Sequence, residues 1–207
     1  MEVEFITSSP DLAGRPERVL PEFAFIGRSN CGKSSLINHF LDRNKVAHTS
    51  RKPGKTRLLN YFLVDDKFYL VDLPGYGFAK VSKKTRAAWM TLFRRYLLAG
   101  DRPMALFHLL DIRHQPTRED LEVSGWVRES GHPFALAVTK IDKIGTNSHS
   151  GRFQEIIQAL GVPADTPFFP TSAVKGTGRE EMVGWVDDLL DAHAAPEEFD
   201  GDPELEV

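Results

Sequence analysis

Cysteine is almost missing from this chain: Cys31 stands alone among 207 residues. One thiol closes no internal disulfide and leaves too few sulfur ligands for a cysteine-based zinc site. Long apolar runs are missing too. Nothing approaches the roughly 18 consecutive apolar residues of a membrane-spanning helix, and the opening MEVEFITSSP lacks the basic-then-apolar order of a secretory signal. The seven histidines show no metal-ligand spacing, so none is assigned to a metal. These absences lead us to expect a soluble, cytoplasmic protein with no membrane partner.

What is present is an ordinary globular composition, with 41% hydrophobic and 27% charged residues. A chain of this length buries about 70% of the surface that its unfolded form exposes, enough for a core without covalent staples. The charge is unevenly placed. Residues 196–207 (PEEFDGDPELEV) carry six acidic residues and no Lys or Arg, so residues 1–195 are left with 23 acidic against 26 basic side chains. We expect residues 1–21 to be an N-terminal extension, residues 22–195 the folded domain, and residues 196–207 a disordered acidic tail. Residues 43–57 and 73–100 each hold six Lys or Arg and no acid, which makes them candidates for contact with nucleic-acid phosphate.

Strand and helix signals alternate. The apolar runs EFAFIG, PMALFHLLDI, HPFALAVTK and TPFFPTSA read as buried strands. LLNYFLV and KFYLVDL flank Asp65-Asp66 and read as a hairpin. Leu36, Ile37, Phe40 and Leu41 have helical spacing, as do Trp89, Leu92, Phe93, Tyr96 and Leu97, with Gly100 as the stop. Further helices are expected from Thr117, around Phe153–Leu160, and around Met182–Leu190. This order predicts an α/β fold of three layers, with a mostly parallel six-stranded sheet and one antiparallel edge strand.

The run Gly27-Arg28-Ser29-Asn30-Cys31-Gly32-Lys33-Ser34 fits G-x-x-x-x-G-K-[ST] and sits between a strand and a helix, as a phosphate-binding P-loop must. Its glycines let successive N–H groups turn inward, and the helix N-terminus adds partial positive charge. Lys33 is expected to reach the β- and γ-phosphates, and the Ser34 hydroxyl to hold Mg²⁺. Thr139-Lys140-Ile141-Asp142 follows a later strand, at the end of the sheet where such folds bind ligands. A carboxylate there accepts from N1–H and the 2-amino group of guanine. Adenine has no such donor pair, so Asp142 favours GTP over ATP. Asp72-Leu73-Pro74-Gly75 ends another strand. Its acid is placed near the metal shell, and Gly75 leaves room for its N–H to meet the γ-phosphate. Thr56 within PGKT is a candidate second metal hydroxyl, and Thr171-Ser172-Ala173 are placed to meet the guanine O6 through backbone N–H.

GRSNCGKSSLIN, KPGKTRLLNYF, LVDLPGYGFAKV, DIRHQPTRED and TKIDK, spread over residues 22–175, together resemble the translation-factor-like GTPases of the TrmE–Era–EngA–EngB group. The resemblance is strongest to the EngB ribosome-biogenesis GTP-binding proteins. It implies a P-loop NTPase fold, with Mg²⁺ on Ser34 and Thr56 and GTP or GDP held by five stretches. These are Gly27 to Ser35, Gly54-Lys55-Thr56-Arg57-Leu58, Asp72 to Gly75, and Thr139 to Asp142 together with Thr171, Ser172 and Ala173. It also implies a role in assembling the large ribosomal subunit and in normal cell division and septation; apart from the resemblance, a monomer is expected.

Phosphoryl transfer here needs an in-line water, neutralised charge and positioning, with no covalent nucleophile. Lys33 is the candidate catalytic cation. The residue after Gly75 is Tyr76, where Ras-like enzymes place a water-orienting glutamine, so slow hydrolysis accelerated by a partner is expected. Asn30 matches the position at which potassium-stimulated relatives help to bind K⁺; the bland alternative is that it only supports the turn. His114 matches the family without a readable role. A P-loop kinase or ATPase is disfavoured by Asp142, and a GTP-binding cell-division module acting through protein contacts stands as the other alternative.

Overall fold

The computed structural model of the chain describes residues 1–44, 46–47, 58–77, 83–100, 102 and 104–194, with the side chains of 83–85 left aside. Gly54, Lys55, Thr56 and Arg57, and the acidic tail, lie outside these residues.

Seven strands form one sheet in the order β1-β3-β4-β2-β5-β6-β7. They are β1 (Val3–Ser9), β2 (Glu22–Gly27), β3 (Leu59–Val64), β4 (Phe68–Asp72), β5 (Met104–Asp111), β6 (Phe134–Thr139) and β7 (Phe168–Pro170). The helices are α1 (Lys33–Phe40), α2 (Lys83–Leu97), α3 (Arg118–Glu129), α4 (His149–Leu160) and α5 (Arg179–Ala194). Strands β4, β2, β5, β6 and β7 run parallel, and β3 is antiparallel to both of its neighbours. The expected α/β layering is therefore present, with antiparallel pairing at one edge. The sheet, however, has a seventh strand that the sequence pattern does not count. β1 lies within the stretch expected to be an extension, and its alternation is masked by a bulge between Phe5 and Thr7 that breaks the two-residue period.

The parallel strands are mostly apolar and mostly buried because helices cover both faces. Phe25, Phe40, Phe107 and Phe169 pack under α1 and α5 on one face. Ile26, Tyr61, Tyr76, Phe93 and Leu106 pack with α2 and α3 on the other. Leu136, Val138, Ile156 and Leu160 extend that second face under α4. Asp65 and Asp66 turn the β3–β4 hairpin at φ 49° and 57°, a left-handed geometry that Asp tolerates better than most side chains. Thr117 caps α3, with Asp120 completing a reciprocal capping box.

The register aligns the carboxyl ends of the strands. Phe25 pairs with Asp72, Gly27 with Leu109, and Asp111 with Thr139. The loops that leave these ends therefore converge on one edge of the sheet.

Candidate functional site

The loop after β2 curls because two of its residues adopt left-handed backbone. Asn30 has φ 68° and Gly32 has φ 108°, and the Cys31 amide closes a turn onto the Arg28 carbonyl at 3.0 Å. Gly32 is the N-cap of α1 and offers no side chain to satisfy the first-turn amides, which leaves them for an anion. Cys31 is buried, and burial pushes its thiol up to about 11, so it stays neutral and unreactive at physiological pH. Ser34 and Ser35 follow on the first turn of α1, with Ser35 exposed.

Lys33 Nζ forms an ion pair with Asp72 Oδ1, and both side chains are largely removed from solvent. The segment after β4 is zipped to the P-loop. Leu73 N–H donates to the Phe25 carbonyl at 3.2 Å, Tyr76 N–H to the Gly27 carbonyl at 3.3 Å, and Ser29 N–H to the Tyr76 carbonyl at 2.7 Å. At Gly75 a Cβ would lie 3.0 Å from Ser29 Cα and 3.1 Å from Ser29 N, so any side chain there would push the two loops apart by a few tenths of an ångström. Ser29 Oγ adds a bond to the Gly75 carbonyl at 3.1 Å.

The loop after β6 is clasped to the same P-loop. Buried Thr139 donates to the Cys31 carbonyl. Lys140, itself left-handed at φ 60°, reaches the Asn30 carbonyl at 2.6 Å and Asp111 Oδ2 at 2.8 Å. Burial works to raise the Asp111 carboxyl, but Arg113 and then Lys140 overcome it and hold the group well below the usual carboxylate range. Ile141 N–H donates to the Thr171 carbonyl at 3.3 Å, which joins this loop to the one after β7. Asp142 receives the Ser172 hydroxyl at 2.7 Å and faces Lys143 at 3.0 Å. The Ser172 bond, then Lys143, lowers its pKa, so it is ionised at neutral pH. Thr171 and Ser172 are buried beneath, and Ala173 is exposed beside them.

The sequence-predicted residues of the described loops thus meet at one edge, and Leu58 lies just before β3. Sequence reasoning missed Asp111 as the residue that orients Lys140. The signal was available, because an acid at the carboxyl end of a parallel strand is what marked Asp72. It also missed what Tyr76 does: the ring is buried, and its hydroxyl donates to Asp120 Oδ1 at 2.7 Å.

Mg²⁺ suits the chemistry of the donors. Among the described residues no three His, Cys, Asp or Glu gather into a metal-binding group. A hydroxyl at Ser34, next in sequence to Lys33, and a carboxylate at Asp72, its ion-pair partner, are hard oxygen donors of the kind Mg²⁺ takes in ones and twos. It completes its shell with water and phosphate oxygens.

A P-loop clasped at once to a carboxylate-ended strand and to a T-K-x-D loop defines a P-loop GTPase. The model of the 50S ribosome-binding GTPase family matches residues 22–140. A "Probable GTP-binding protein EngB" from Porphyromonas gingivalis is 41% identical over 192 residues, covering 89% of this chain and 93% of its own. One of the same name from Clostridium perfringens is 43% identical over 190 residues, covering 91% and 96%. A crystal structure of a probable GTP-binding protein engB superposes with a TM-score of 0.71 at 24% identity, over 83% of this chain and 99% of that one, and supports the fold. The chain belongs to the EngB family of GTP-binding proteins, and it is a GTPase.

Proposed function

We propose that this GTPase is a nucleotide-gated switch that binds the large ribosomal subunit during its assembly, and that normal septation and cell division depend on it. The observation that carries the reading is the double clasp, which joins the P-loop to the Asp72–Gly75 segment and to the Thr139–Asp142 loop. Residues 27–35 take the phosphates, with Lys33 transferring its ammonium from Asp72 to the β- and γ-oxygens. Ser34 and Thr56 would hold Mg²⁺, with Asp72 close enough to orient its water. The metal neutralises phosphate charge. Asp142 and Thr171 to Ala173 read the guanine, and the stem of Lys140 lies along the base. Leu58 and residues 54–57 belong to the loop that senses the γ-phosphate. The protein acts in the cytoplasm as a monomer.

The ribosomal partner is supported by the description of the matching family and by the acid-free basic stretches of the sequence, residues 43–57 and 73–100. Two basic side chains of α2 are turned toward acids of α3, Arg86 to Glu119 at 3.5 Å and Arg94 to Glu129 at 3.2 Å. Arg95 stays exposed beside them. Co-sedimentation with large subunits tests the reading. Binding is expected with a non-hydrolysable GTP analogue and not with GDP. It should fall more than tenfold between about 50 and 200 mM salt, as counterions are released from only a few phosphate contacts. Equal, salt-insensitive retention with both nucleotides would point instead to a module that works through protein contacts.

Hydrolysis in the isolated protein is slow in this reading, because Tyr76 is engaged in the core and orients no water. Asn30 is exposed on the P-loop, and a K⁺ held there would supply part of the missing charge. GTPase rates in KCl should exceed those in NaCl severalfold, and equal rates would remove this role from Asn30.

A further inference from the structure

Tyr76 is an expensive way to fill a core. Its ring meets Phe93 edge-on at 6.3 Å, a contact that phenylalanine would make equally well. The hydroxyl brings with it a carboxylate that is only 4% exposed, that of Asp120. It also brings His108, whose Nε2 lies 2.9 Å from the Tyr76 oxygen and whose Nδ1 meets no hydrogen-bond partner among the described residues. Burying such groups costs stability unless they are satisfied, so a polar cluster here calls for a reason other than packing.

The cluster is well satisfied at its centre. Asp120 Oδ1 accepts from Tyr76, and Oδ2 accepts from Thr117 N–H at 2.7 Å and Thr117 Oγ1 at 2.6 Å. Burial lowers His108 to about 4, so the ring is neutral at physiological pH. Burial, then Asp120, raises Tyr76 well above its ordinary value, so its hydroxyl keeps its proton. One residue of the segment leaving β4 is thereby tied to the capping box of α3, whose Asp120 lines the same small pocket as Arg28 and Cys31 of the P-loop. The neighbouring backbone faces the P-loop, through the Ser29–Tyr76 bond and the Ser29 hydroxyl on the Gly75 carbonyl. The Gly75 N–H itself donates to no protein group among the described residues.

We propose that Tyr76 and Asp120 are positioning residues for phosphoryl transfer, their buried bond fixing the peptide of Gly75 against the P-loop so that its N–H stands ready for the γ-phosphate of GTP. This rests on the reading of Gly75 as a phosphate contact. The anchor acts on the third phosphate alone, because GDP offers Gly75 nothing to bind. It therefore raises affinity for GTP relative to GDP by ordering the amide before the ligand arrives.

The test compares the affinities of GDP and a non-hydrolysable GTP analogue, both with Mg²⁺, in the full chain and in three variants. Tyr76→Phe is expected to weaken the analogue about tenfold while GDP stays within about twofold, the size of one lost hydrogen bond to a charged partner. Asp120→Asn keeps an oxygen for Thr117 and should move the ratio in the same direction; it decides the matter if Tyr76→Phe does not fold. Tyr96→Phe removes another buried tyrosine hydroxyl from a carboxylate, Glu22 Oε2 at 2.7 Å, and should lower stability with the ratio unmoved. Equal losses for both nucleotides in Tyr76→Phe and Asp120→Asn, or an equal shift in Tyr96→Phe, would overturn the proposal alone. Failure of the unmutated chain to distinguish the analogue from GDP, with guanine nucleotides still bound, would overturn Gly75 as a phosphate contact and the anchor with it.

Discussion

Replacing Asp142 by asparagine is expected to weaken GTP binding by at least a hundredfold while leaving the fold intact. Two donors of guanine, N1–H and the 2-amino group, would meet the carboxylate. A hydrogen bond to a charged group contributes about 1.5–3 kcal/mol, so losing one, turning the other into a neutral bond and leaving a base donor unpaired corresponds to roughly two orders of magnitude or more in affinity. Asparagine keeps one acceptor, but it turns an N–H₂ toward a donor of the base. The Ser172 hydroxyl and Lys143 hold the native carboxyl ionised and in place. The neighbours that hold Asp142 ionised therefore also make its neutral replacement a poor substitute. Because the phosphates are held elsewhere, the preference for GTP over ATP should shrink along with the affinity. Competition between the two triphosphates measures it, and a variant that kept its original preference would refute the assignment of Asp142 to the base.

Removing Lys33 should produce the second large effect, and it should appear twice. Lys33 and Asp72 are partners with little access to solvent. In Lys33→Met the Asp72 carboxylate is left without its cation, which should cost about 3 kcal/mol of stability. The same variant loses the ammonium that would meet the β- and γ-phosphates, and GTP affinity should fall by about a thousandfold or more. The two losses are separable. Lys33→Met combined with Asp72→Asn removes both charges and should recover most of the stability in a denaturant titration, while nucleotide binding stays lost. Recovery of both together would mean that Lys33 serves the fold only.

Much of this architecture is legible in the residues. Apolar runs ending in Gly27, Asp72 and Thr139 give the parallel strands and mark where their loops open, and the P-loop spacing places Lys33 and Ser34 without further help. What stayed hidden has a common cause. Strand β1 is half exposed and interrupted by a bulge, so its alternation is weak, and its pairing with β3 is set by a partner fifty or more residues away along the chain. Asp111, Tyr76 and Asp120 act through side-chain bonds between elements far apart in sequence, a relation that no local period encodes. Tyr76 looks from sequence like a missing glutamine; the fold turns its ring inward, where Phe93, His108 and Asp120 receive it.

The placement of β1 has a consequence for handling the molecule. The Glu2 amide donates to Asp65, the Asp65 amide to the Glu2 carbonyl, and Arg43 to the Met1 carbonyl, so the chain is fastened down from its first residues. Clipping by a protease between β1 and β2 that released this strand would lay bare the hydrogen-bonding groups of Leu59–Val64 along an apolar border. Such borders recruit strands from other molecules, and a preparation trimmed in this way would be prone to clump even with its nucleotide pocket whole.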